Sequence, residues 1–213
     1  CRRLEEEIGI QIFYLPEWTE EDSGLLHHSD FDHLTLDRAY FQAVLWELEK
    51  MEAAYRLYPE GFLRELSEKK EGRTTEIVLC PYTYRGYAQY GRYVHDYSGR
   101  GVDHIYYTGI GDSQYYSHEM GHMVMTAAAL RHGWQDACDA WDRCGGYVSD
   151  YARTSRPEDW AETWAYLWHQ TEAVTAACEA GPLGDKVRCL TELLAESYAA
   201  IEPSRLPWAA VLR

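Results

Sequence analysis

The chain has 213 residues, 46% of them hydrophobic, and sets 20 basic against 35 acidic residues for a net charge of −15 at pH 7. A chain of this length buries about 70% of its unfolded surface, so it needs no disulfide to fold. The acidic excess argues against binding a nucleic-acid backbone and suits a solvated surface or a basic peptide partner, and no apolar run approaches the roughly 20 residues that span a bilayer.

Ile8 to Tyr14 places isoleucines at positions 8, 10 and 12 and stops before Pro16, which predicts a strand with one buried face. His27, His28, Asp30, Asp32 and His33 follow. They are metal-ligating residue types without a helical or strand frame, and they read as a solvated loop. From Thr35 to Leu57 apolar residues recur at Leu36, Ala39, Tyr40, Ala43, Val44, Leu48, Met51 and Tyr55, the spacing of a long amphipathic helix. Pro59 and Gly61 punctuate it, and Phe62 to Leu66 predicts a further turn of helix.

Glu76 to Cys80 predicts a second strand, ended by Pro81, and Val102 to Thr108 a third. Between them lies a span, residues 82–101, with Tyr82, Tyr84, Tyr87, Tyr90, Tyr93 and Tyr97 interspersed with glycines. It reads either as a flap over a cleft or as packed surface tyrosines. The third strand is a candidate sheet edge to which an extended substrate adds.

After a turn at Gly109 to Asp112 comes Ser117-His118-Glu119-Met120-Gly121-His122, continued by the apolar run Met123 to Leu130. Histidines four residues apart share one helical face, so both imidazoles reach one metal ion while Glu119 points beside it. That is the pattern of a zinc hydrolase, with His118 and His122 as ligands and Glu119 as the base. His132, beyond the apolar body, reads as a surface histidine. Gln135 to Asp142 predicts a short helix, broken by Gly145-Gly146. Pro157 to about Cys178 predicts a helix whose Trp160, Trp164 and Trp168 form a core stripe, and Asp185 to Ile201 a last one before Pro203. With no repeat or linker, one domain is expected, with an N-terminal lobe over residues 1–131 and a helical C-terminal lobe over 132–213.

A hydrolytic zinc site needs three protein ligands and an open position. A metzincin would place glycine at 125 and histidine at 128; Met125 and Ala128 exclude that class. The best remaining candidate is Glu158, on a helix opened by Pro157, with Glu162 one turn on to accept a hydrogen bond from a ligand imidazole. The same residues, Ser155-Arg156-Pro157-Glu158, also match a capping box in which Glu158 folds back to the Ser155 amide.

The segment from Tyr151 to Glu162, downstream of His118-Glu119-Met120-Gly121-His122, resembles the catalytic domain of the anthrax lethal factor-like metallopeptidases, a group that includes the Pro-Pro endopeptidases. Tyr151, Glu158, Ala161 and Glu162 match that family's tyrosine and E-x-x-A-E spacing. The resemblance, which covers about Val102 to Gln170, implies an α+β, zincin-like fold with a small twisted sheet over the active-site helix. It implies a gluzincin-type site in which His118, His122 and Glu158 bind zinc, Glu119 is the catalytic base and Tyr151 assists at the transition state. Asp159-Trp160 departs from the aromatic pair frequent there.

The expected function is a zinc-dependent endopeptidase on protein or peptide substrates, with water activated by Glu119. The alternatives are a catalytically silent zinc-bearing binding protein and a metal hydrolase acting on a non-peptide substrate. A monomer, secreted or at the cell surface, is the expected state. Cys1 suits a lipoprotein acylated there or simply the point where the sequence begins. In an oxidising compartment Cys138 with Cys144, and Cys178 with Cys189, are close enough in sequence to close small loops; buried reduced thiols are the other reading.

Overall fold

A computed structural model of the chain describes residues 2–14, 38–68, 74–79, 91–94, 101–107 and 111–213. In order these form α1 (Arg2–Ile8), β1 (Gln11–Tyr14), α2 (Arg38–Tyr55), α3 (Phe62–Glu68), β2 (Thr74–Leu79), β3 (Gly91–Val94), β4 (Val102–Tyr107), α4 (Ser113–His132) and α5 (Trp134–Asp142). A 3-10 turn, Tyr151–Arg153, leads into α6 (Arg156–His169), α7 (Thr171–Ala180) and α8 (Leu183–Ser197). Helices with one small sheet fit the α+β class. The predicted histidine and aspartate loop at 27–33 lies outside the described residues, as does most of the tyrosine-rich span.

The four strands lie in the order β1-β2-β4-β3. The first three are parallel, and β3 closes one side antiparallel to β4. Ile12, Ile77 and Ile105 fall in one register row and are all buried. Two expectations change here. Val102–Tyr107 is an interior strand, flanked on both sides, so it is not the edge to which a substrate would add. Gly91–Val94, inside the span read as a flap or surface loop, is itself a strand.

The N-terminal expectation also changes, because Ile8 ends a helix. Leu4 and Ile8, four apart, are the buried face of α1, and Gly9 turns the chain at φ 71° before Ile10 and Ile12 are buried in turn. Two periodicities share one isoleucine. The predicted helix from Pro157 divides at Gln170, whose φ of −133° and ψ of 38° separate α6 from α7. No glycine or proline marks that break. The last helix starts earlier than predicted, after Pro182, and stops at Tyr198, which turns extended at φ −133°, ψ 122°.

Helix α4 is fixed at both ends by its own sequence. Asp112 accepts a hydrogen bond from the Tyr115 amide at 3.2 Å, Arg131 and His132 occupy the last turn, and Gly133 leaves it at φ 89°. His132 is half-buried and bonded to Ser197 Oγ at 2.8 Å, so it ties α4 to α8 and is not free on the surface. Packing against α6 is closest at Gly121, where a Cβ would come within 2.9 Å of Ala161 Cα and 3.0 Å of Trp164 Cδ1. Trp160, Trp164 and Trp168 are buried as expected, with Trp168 set 4.8 Å, ring to ring, from Trp208. Behind α6, Lys186 of α8 and Asp159 form a buried ion pair at 2.7 Å, and Trp141 Nε1 donates to the same carboxylate oxygen at 2.8 Å.

Glu47 of α2 is fully buried, and among the described residues neither of its carboxyl oxygens has a hydrogen-bond partner. Burial pushes its pKa from 4.5 up to about 8, against a smaller opposing pull from Lys50. A raised folded pKa means that the folded chain holds a proton the unfolded chain has released. Stability is therefore fullest below about pH 4.5 as far as this group is concerned, and falls as pH rises towards 8, by on the order of 5 kcal/mol. Glu47→Gln, which cannot ionise, is expected to match the wild type in urea unfolding near pH 5 and to exceed it at pH 9. Parallel pH profiles for the two proteins would show that Glu47 is not the group responsible.

Candidate metal centre

Three elements bring six side chains together. Helix α4 presents His118 and His122 on one face, with Glu119 beside them and buried. The first turn of α6 supplies Glu158, and its next turn Glu162. Tyr151 comes from the 3-10 turn just before α6 and is exposed, its ring centre 5.8 Å from that of His118.

The Glu158 carboxylate oxygen Oε2 lies 3.1 Å from His118 Nε2 and 3.5 Å from His122 Nε2. His118, His122 and Glu158 form a group able to hold a metal ion, with donor atoms within 4.8 Å of one another. Among the described residues it is the only such group. The capping alternative resolves into a division of labour: Ser155 Oγ accepts from the Glu158 amide at 3.4 Å, while the Glu158 carboxylate faces the histidines. The backbone of Glu158 belongs to the cap and its side chain to the cluster.

Glu162 lies on the far side of His118, with Oε1 2.8 Å from Nδ1. That bond fixes the ring so that Nε2 points at Glu158 and His122. Ser149, which sequence reasoning passed over, donates to the other oxygen of Glu162 at 2.6 Å and accepts from the Ala152 amide at 3.0 Å. One hydroxyl thus joins the 3-10 turn carrying Tyr151 to the carboxylate that orients His118.

The electrostatics are those of a cation site. Burial works to lower the pKa of His118, but hydrogen bonds to Glu158 and Glu162 and the nearby charge of Glu119 outweigh it and hold the imidazole up at about 9. Burial would raise Glu158 as well, yet the two histidines hold it well below the usual carboxylate range. Glu162 is lowered likewise by His118 and Ser149 against the effect of its burial. Tyr151 is pushed up to about 12, first by partial burial and then by the charges of Glu158, Glu119 and Glu162, so its hydroxyl keeps its proton at neutral pH.

Removing the charge that orients a ligand imidazole typically weakens metal binding 10- to 100-fold, and Glu162→Gln is expected to fall in that range of about 10 to 100. Competition against a chromophoric chelator measures it. Affinity within about twofold of the wild type would mean that His118 is oriented by the rest of the site.

Comparison with protein-family models, curated proteins and solved structures finds no match to this chain.

Proposed function

We propose that the chain is a zincin-like, zinc-dependent endopeptidase of the lethal factor-like kind anticipated from its motifs. The observation that carries this reading is the Glu158 carboxylate, held between two imidazoles, one of which is oriented from behind by Glu162. Two neutral imidazoles and one carboxylate are the donor set of many hydrolytic zinc sites. Ligands about 2.0 to 2.1 Å from a tetrahedral ion lie roughly 3.4 Å apart; the two separations from Glu158 are 3.1 and 3.5 Å, and all three donors lie within 4.8 Å of one another.

When bound, zinc supplies a Lewis acid that polarises a carbonyl and brings the pKa of a coordinated water near 7. The chain's own residues would do the rest. Glu119 adjoins His118 in sequence without belonging to the three-donor group, and its charge reaches both His118 and Tyr151. It takes the proton of the attacking water and hands it to the leaving amine. Tyr151, exposed and protonated, donates its hydroxyl to the carbonyl oxygen as negative charge develops there. Glu162 and Ser149 keep His118 and the Tyr151 turn in register.

The test is a diverse peptide library incubated with the zinc-loaded protein and, in parallel, with protein stripped by a chelator, followed by mass spectrometry with zinc content recorded on the same samples. Cuts that vanish on stripping and return with zinc are the expected result. Stoichiometric zinc with no cleavage across the library would favour a binding protein that keeps the site.

A further inference from the structure

The segment between α5 and α6 carries Ser149 and Tyr151, and its base is held against α8 by several separate contacts. Lys186 of α8 donates to the Gly146 carbonyl, and its ammonium lies 4.3 Å from the centre of the Tyr147 ring. Gly145 approaches Pro182 so closely that a Cβ would come within 3.0 Å. Gly146, at φ 85°, lies where a Cβ would meet the Leu183 backbone at 2.8 Å. Cys144 stands at the start of this base, its thiol donating to the Ala140 carbonyl at 3.3 Å. Cys189 lies one helical turn beyond Lys186 on the same side of α8, and its thiol is within hydrogen-bonding reach of that of Cys144. Both are free and half-buried.

We propose that Cys144 and Cys189 form a dithiol–disulfide pair whose closure clamps the base of the Tyr151 segment to α8. The pairings suggested by proximity in sequence are not formed: all four described cysteines are free. Cys138 is buried beside the Arg156 guanidinium, and Cys178 lies near Arg188. The inference goes beyond the peptidase reading and does not depend on it.

The oxidant required is a small-molecule disulfide. One cysteine thiolate attacks a sulfur of that reagent, forming a mixed disulfide and releasing one reagent thiolate. The other cysteine then attacks the protein sulfur of the mixed disulfide, forming the Cys144–Cys189 bond and releasing the second. The two cysteine protons end on the two reagent thiols; the protein pair loses two electrons and the reagent gains them. Burial, together with the neighbouring Cys144, pushes the Cys189 thiol up to about 12, so closure is slow at neutral pH and faster under mildly alkaline conditions.

The experiment is incubation of the full chain with oxidised glutathione at mildly alkaline pH, alkylation of residual thiols and non-reducing peptide mapping. The expected result is a Cys144–Cys189 cross-link that is absent from Cys144→Ser and from Cys189→Ser and retained in Cys178→Ser. Closing a loop of this size should also raise Tm by about 5 to 15 °C relative to the dithiothreitol-treated protein. A cross-link of either cysteine to a different partner, Cys1 and Cys80 included, would overturn the proposal. So would both thiols remaining alkylatable after prolonged oxidation, or a stable mixed disulfide with glutathione that never resolves.

Discussion

Glu119→Gln is expected to lower kcat by about 10³- to 10⁴-fold while metal content stays at the wild-type level. The size follows from a carboxylate asked to act twice, first as base towards water and then as acid towards the leaving amine. An amide can do neither. Metal retention follows from position: the three-donor group consists of His118, His122 and Glu158, and Glu119 is outside it. Its replacement is also nearly isosteric, which matters for a side chain only 6% exposed. Steady-state rates on a cleaved library peptide, with metal measured on the same protein, separate the two effects. Turnover within tenfold of the wild type would take the base role from Glu119. Loss of metal along with activity would mean that Glu119 supports the ligands and does not act on substrate.

The cluster was legible in the sequence wherever its geometry repeats along one helix. His118 and His122 four apart, and Glu158 and Glu162 four apart behind Pro157, each define a face without knowledge of the fold. What joins the two faces was not legible. Gly121 is explained by Ala161 and Trp164, forty residues on, because α4 and α6 approach too closely there for a Cβ. Ser149 reaches Glu162 across a turn whose path no local pattern specifies. The sheet was read strand by strand where apolar alternation is strong, but its order was not. Gly91–Val94 is four residues long within a glycine- and tyrosine-rich span, so it carries no period-two signal to distinguish it from a loop. Of the two readings of the cysteines, free thiols is the one that the described residues carry. The approach of Cys144 to Cys189 has no local signal, because the ends of α5 and α8 meet through Gly145, Gly146 and Lys186.

The position of Tyr151 invites the second large effect. It is the most exposed member of the cluster, its ring is tilted beside that of His118 with centres 5.8 Å apart, and its hydroxyl is turned towards the Glu158 carboxylate. A tyrosine present only to pack would be expected to bury its ring, yet this one is 53% exposed. The exposed hydroxyl is free to exchange its carboxylate partner for a substrate oxygen, and the interaction strengthens as that oxygen gains charge. Tyr151→Phe removes only this donor, so kcat should fall by about 10- to 1000-fold with little change in KM. Zinc content should be unaffected, because the variant leaves all three donors and the Ser149–Glu162 bond in place. A rise in KM at constant kcat would instead assign Tyr151 to substrate binding, and unchanged kinetics would make it structural.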